Sequence, residues 1–150
     1  MAIWQYDFSL VEKRSLEDLQ AANQFIEREV LNEEPFWLYS NQDKNMFYEL
    51  SQILGRNKSW CNEIDLYGSE ESNCVEVVFN NDNKVVSVQA RIDFSKPYEN
   101  LLTKFASFCS LKELVIIDAD NLLCVPPNGP AIDHTIRSSE RWRNYHGINR

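Results

Sequence analysis

Few residues in this chain are of types that do chemistry, and their spacing decides what they could do. The candidates are His134 and His146, the four cysteines Cys61, Cys74, Cys109 and Cys124, and the carboxylates Asp118, Asp120 and Asp133. Asp133 and His134 are adjacent, and neighbouring side chains on a helix point in different directions, so they form no dyad by themselves. His146 falls in a polar tail. A cysteine nucleophile needs a histidine that lowers its pKa, and no motif places one. There is no GxSxG, no P-loop and no GxGxxG. The cysteines form no CxxC pair, have no histidine at ligand spacing and lie in or beside apolar segments, the setting of reduced structural thiols. The Asp118-Ala119-Asp120 run lacks the glycine and the bidentate glutamate of a calcium loop. A tight turn also favours aspartate for conformational reasons alone. The expectation is a chain without catalytic residues, metal or cofactor.

Carboxylates arranged on a sheet suit recognition better. Residues 59–94 read as a three-stranded antiparallel meander. Ile64, Leu66, Val75, Val77, Val86, Val88, Ala90 and Ile92 are expected on its apolar face, and Glu63, Asp65, Glu76, Ser87, Gln89, Arg91 and Asp93 on the other. A two-residue turn at Asn81-Asp82 would pair Val77 with Val86 and Val75 with Val88. The segment Glu33-Glu34-Pro35-Phe36-Trp37, with Tyr39 just beyond, sets large rings beside carboxylates, a common arrangement at interfaces. The expected contact set is Glu63, Asp65, Glu70, Glu71 and Glu76, with Trp37 as an anchor.

Other elements must hold that face in place. Residues 3–11 alternate as a first strand, and Ser15 precedes a run that reads as a helix to about residue 30. Asp43 is placed to cap a second helix, with Phe47, Leu50 and Leu54 on one side and Gly55 to end it. Residues 97–109 form an amphipathic helix with Leu101, Leu102, Phe105 and Phe108 inward. Residues 113–118 are a buried strand, residues 122–125 a short return, and residues 126–130 a rigid break. A last helix over 131–142 brings Ile132 and Ile136 to the core. The fold class is α+β: one domain over residues 1–150, with an antiparallel sheet built on the meander and helices on one face, and residues 141–150 as a mobile basic tail.

With 43% hydrophobic residues and only four glycines and five prolines, the chain is neither disordered nor of low complexity. No apolar run approaches the ~20 residues that span a bilayer, and the first residues lack the form of a signal peptide, so a cytoplasmic location is expected. The net charge of −8 is uneven, because Arg137, Arg141, Arg143 and Arg150 face a single acid, Glu140, in the last fourteen residues. The acidic remainder repels nucleic acid and anionic membrane and attracts a basic partner.

Lys58-Ser59-Trp60, then Tyr67-Gly68, Glu70-Glu71, Asn73, Arg91-Ile92-Asp93 and Phe105-Ala106 carry a resemblance. In this order they resemble a large group of small uncharacterised bacterial proteins with a KSW…YGxEExN segment, a hairpin, an RID strand and a helix with an FA pair. The opening MAIWQYDFSLV is also similar, and the resemblance extends to about Ser139. It departs at Arg141-Trp142-Arg143-Asn144-Tyr145-His146. The resemblance implies standalone proteins encoded near toxin systems, hence an immunity protein of the contact-dependent growth inhibition or polymorphic toxin type. Its partner is then a cognate toxin domain, basic and nuclease-like. No site residues transfer with the resemblance. The competing expectation is a small enzyme or ligand-binding protein with a pocket between the sheet and the last helix, served by Arg91, Asp93, Asp133 and His134. An oligomeric protein with no toxin partner is a third.

Overall fold

The structure, a computed structural model, describes residues 1–15, 26–27, 30–31, 36–37, 40 and 42–147. Its chain order is β1 (Gln5–Glu12), β2 (Ile26–Glu27), β3 (Val30–Leu31), a 3₁₀ helix (Lys44–Gln52), β4 (Arg56–Asn57), β5 (Ile64–Gly68), β6 (Cys74–Phe79) and β7 (Val85–Asp93). There follow α1 (Glu99–Leu111), β8 (Leu114–Asp118), β9 (Cys124–Val125), α2 (Gly129–Arg137) and α3 (Glu140–Tyr145). Seven strands form one antiparallel sheet in the order β4-β5-β6-β7-β1-β8-β9, and β2 and β3 pair separately. The architecture is α+β.

β1 is central because both of its edges are paired, one with β7 and the other with β8. Tyr6, Phe8 and Leu10 project into the main core with Val75, Val77, Val88, Ala90 and Ile92, over which Leu102, Phe105, Ile132 and Ile136 pack. Val11, on the opposite face, packs with Ile117 and Phe36 in a second, smaller core. The β1–β7 ladder ends at Ser9 and Gln89, and beyond it the two strands find other partners. The Leu10 carbonyl accepts the Trp37 indole N–H at 3.0 Å, while Val85 N donates to the Gln42 carbonyl and Lys44 N to that of Asn83. Trp37, fully buried, thus serves as the filler of a gap between strands, and its ring meets Phe47 edge-on at 6.0 Å. It cannot act as an anchor for a partner.

Register corrects the expected apolar face. Asp65 stands opposite Val77 and Tyr67 opposite Val75, so Ile64 and Leu66 project to the other side of the sheet. One residue of slip exchanges the faces of a strand, and Ile-Asp-Leu-Tyr offers an apolar residue for either. The β6–β7 pairing lies two residues from the expected one, with Val77 opposite Val88 and Val75 opposite Ala90, which keeps the faces together. A bulge at Val78/Phe79 then brings Val85 to the core in place of Val86. The turn between these strands is closed by Asn80 N to the Lys84 carbonyl, with Asn83 in the left-handed region at φ 60°.

The helices differ in their ends. The segment after Asp43 is 3₁₀, and its buried Phe47 and Leu50, three residues apart, fall in line on a three-residue turn. Asp43 does cap it, accepting from Asn45 N at 2.9 Å, but it closes at Ile53, before Gly55. The helix expected from Ser15 to about residue 30 is not formed at 26–27 and 30–31, which are strands, while residues 13–15 are already helical. Residues 16–25 and the expected recognition residues Glu33, Glu34, Pro35 and Tyr39 lie outside the described residues. The helix expected over 131–142 is two, because Ser139 accepts from Trp142 N at 3.1 Å and starts a new one. The expected tail is therefore helical from Glu140 to Tyr145, with Trp142 against the main core. No helix among the described residues is long and apolar enough to cross a membrane.

Candidate functional site

The expected contact residues divide into two groups. Asp65 is buried, at 3% exposure, because β5 faces it toward the main core. Its carboxylate receives the Arg56 guanidinium at 2.6 Å and the Lys44 ammonium at 3.5 Å, which join the 3₁₀ helix and β4 to β5. Glu76 projects on the opposite face and pairs with Arg91 at 3.1 Å. Neither carboxylate, nor the buried Trp37, belongs to an open surface. Glu63, Glu70 and Glu71 are exposed and in no ion pair among the described residues.

The turn that carries Glu70 and Glu71 is tightly held. Gly68, at φ 87°, begins it, and a Cβ there would lie 2.1 Å from the Asn73 carbonyl oxygen, so only glycine fits. Gln5 Nε2 donates to the carbonyls of Glu70 at 2.9 Å and Ser72 at 2.6 Å, and Trp4 Nε1 donates to that of Glu71 at 2.8 Å. With its backbone pinned by β1's approach, the turn presents its two carboxylates to solvent.

Beside the turn stands Trp60, with 72% of its surface exposed. The β4–β5 connection folds back over Leu66, so that Asn57, Lys58, Trp60, Ser69, Glu70 and Glu71 border a shallow depression of about 380 Å³. Trp60 is absent from the expected contact set. Its signal was available in Ser59-Trp60-Cys61-Asn62-Glu63, where a tryptophan stands in a polar stretch without the periodic apolar neighbours that bury a ring. An exposed ring bordered by unpaired carboxylates suits a partner with cations and an apolar groove.

The residues of the competing expectation occupy separate places. Arg91 is with Glu76. Asp93 accepts from Ser72 Oγ, from Ser95 N and from the Ser95 hydroxyl, with Lys96 at 3.9 Å. Asp133 binds Arg137 at 2.9 Å and accepts from the Tyr98 hydroxyl. His134 is exposed on α2, with Nε2 3.4 Å from Ser138 Oγ. The structure does not bring these four together.

A cleft of about 310 Å³ does lie between the β8–β9 hairpin and α2, bordered by Asp118, Cys124, His134, Thr135 and Ser138. Its polar groups are already engaged. Asp118 accepts from Tyr6 Oη at 2.6 Å, from Asp120 N and from Asn121 Nδ2. Cys124 is exposed overall, but partial desolvation by its neighbours still pushes its thiol above its usual range, away from the thiolate a nucleophile needs. The hairpin turn holds Leu122 in the left-handed region at φ 58°, a conformation uncommon for a leucine.

The second sheet face holds one perturbed carboxylate. Asp7 lies across from Arg91 in the β1–β7 ladder, and burial raises it to about 6 against the opposing pull of that guanidinium. Its Oδ1 is buried without a hydrogen-bond partner among the described residues. Cys74, next to Arg91 on the other side, is pushed up to about 12, chiefly by burial. No cluster of three or more metal-ligating side chains occurs among the described residues.

No protein-family model, curated protein or solved structure matches the chain.

Proposed function

We propose that this chain is a single-domain cytoplasmic binding protein that neutralises a bacterial toxin by occlusion, an immunity protein, working without catalysis, metal or cofactor. Its partner is a basic toxin domain such as a nuclease, and neither nucleic acid nor membrane is its target. The observation that carries the reading is Trp60 standing exposed beside Glu70 and Glu71, whose turn three hydrogen bonds hold in place. Unpaired carboxylates speed the encounter with a basic protein, and a rigid aromatic that fills a pocket slows its release. A toxin must be met fast and released slowly, which is what this pairing supplies. Asp65, Glu76 and Trp37 leave the contact set, and Trp60 enters it.

The cleft bordered by His134 and Cys124 favours a second reading, a small ligand bound between the β8–β9 hairpin and α2. Its volume is near the lower limit of such sites, ~300 Å³.

The test is capture of the tagged protein from cells co-expressing the open reading frame immediately upstream. A one-to-one complex with a basic domain is expected, weakened by salt, and lost together with protection from toxicity in a Trp60→Ala, Glu70→Lys, Glu71→Lys variant. A complex that forms equally well with that variant would place the interface elsewhere.

A further inference from the structure

The depression beside Trp60 has a charge pattern of its own. Lys58, Glu70 and Glu71 border it together with the exposed indole. All three charged side chains are exposed, and none is in an ion pair among the described residues. Lys58, although it borders the same depression, thus leaves both carboxylates without a contacting cation. The balance of the rim is one negative charge, spread over two carboxylates and opposed by one ammonium.

The backbone of the turn narrows what it can offer a ligand. The carbonyls of Glu70, Glu71 and Ser72 are taken by Gln5 and Trp4, and Ser69 N and Ser72 N are bonded within the turn. The strongest acceptors that remain are the two carboxylates, so the group they select is a cation. A single ring, Trp60, borders the depression. A lysine ammonium is compact and strongly hydrated and gains little from one exposed ring. A guanidinium is planar and weakly hydrated, stacks flat on an indole, and sends N–H groups from its edge to carboxylates. An open depression with one ring and two carboxylates suits the second kind of cation.

We propose that this depression is a subsite for one arginine side chain of the partner, stacked on Trp60 with its guanidinium edge toward Glu70 and Glu71. Lys58 opposes it as a like charge at the rim and holds its strength down. The inference rests on the proposed role of this face and narrows the partner to a protein with an arginine at the centre of its basic surface. Its test uses the purified chain alone. Failure there leaves capture of a basic toxin standing, and a capture that fails leaves arginine binding measured.

The probe is a capped glycine–arginine–glycine peptide, titrated at constant ionic strength and followed through the indole N–H signals in nitrogen–proton correlation spectra. The chain has four tryptophans, and Trp60→Ala identifies the signal of interest. A saturable shift of that signal is expected, with a dissociation constant of about 10 mM, the range of one exposed contact of this kind. The matching lysine peptide should bind about threefold more weakly, and the citrulline peptide, of the same shape without the charge, at least about tenfold more weakly. Glu70→Gln with Glu71→Gln should abolish the shift, and Lys58→Gln should tighten binding about threefold. Each replacement is at an exposed position, and thermal melting confirms the fold. No shift at about 50 mM arginine peptide would overturn the inference. So would a citrulline peptide that binds as well, a shift that survives the double glutamate replacement, or a Lys58→Gln variant that binds more weakly.

Discussion

Trp37 and Trp60 are one kind of side chain in opposite circumstances. Trp37 closes the gap where β1 and β7 part, fully buried, with its indole N–H on the Leu10 carbonyl. Trp60 stands on the β4–β5 connection with most of its ring in solvent. The acids near them divide in the same way. Asp65 is buried between two cations, whereas Glu63, Glu70 and Glu71 pair with none among the described residues. Charge counted along a sequence is therefore not charge displayed on a surface, because register and burial assign part of it to structural work. In the first region ring and carboxylate hold the sheet together, and in the second they stand in solvent.

The sharpest way to break this contrast is to truncate both rings. Trp37→Ala should cost about 4 kcal/mol, the usual loss for a large buried aromatic, and Trp60→Ala less than about 0.5 kcal/mol, both read from urea denaturation. Equal costs would remove the distinction. The carboxylates come next. Asp65→Ala leaves Arg56 and Lys44 beside a buried space and should cost about 3 kcal/mol, as breaking one side of a buried pair does.

Asp7 tests burial from the other direction. Its carboxyl is raised from 3.8 to about 6, so the folded protein binds this proton more tightly than the unfolded chain does. The charged form is therefore a burden on the fold at neutral pH, fully present above pH 6 and gone below about pH 4. Asp7→Asn should raise stability by up to about 2 kcal/mol at pH 7.5, with no gain at pH 4, in paired thermal melts. A gain independent of pH would point to packing and not to charge. The smallest expected effect is that of Glu70→Lys with Glu71→Lys, within about 0.5 kcal/mol of the parent in stability while association is lost.

Much of the fold was legible because two periods dominate it. β1, α1 and β8 lie close to where alternation and helical spacing put them, and Asp43 caps its helix as its position suggests. The faces of β5 were not legible, because Ile64 and Leu66 fit a core as well as Tyr67 does, and the decision lies in pairing with β6. Nor was the fate of Asp65, whose partners Lys44 and Arg56 arrive from other elements. In the candidate site, Glu63, Glu70 and Glu71 could be found from composition and turn chemistry. Trp60 was readable but outweighed by Trp37, whose neighbours Phe36 and Pro35 looked more like an anchor than like the plug of a strand gap.

Both margins of the seven-stranded sheet are two residues long, Arg56–Asn57 in β4 and Cys124–Val125 in β9. An edge so short offers a foreign strand almost no free backbone to zip onto, which removes the commonest route from a folded β protein to a fibril. Under the proposed immunity role, in which the protein is stored until a toxin arrives, such edges would let it accumulate without seeding its own precipitation. Among the described residues, the margins of the native sheet thus offer a foreign strand little to extend.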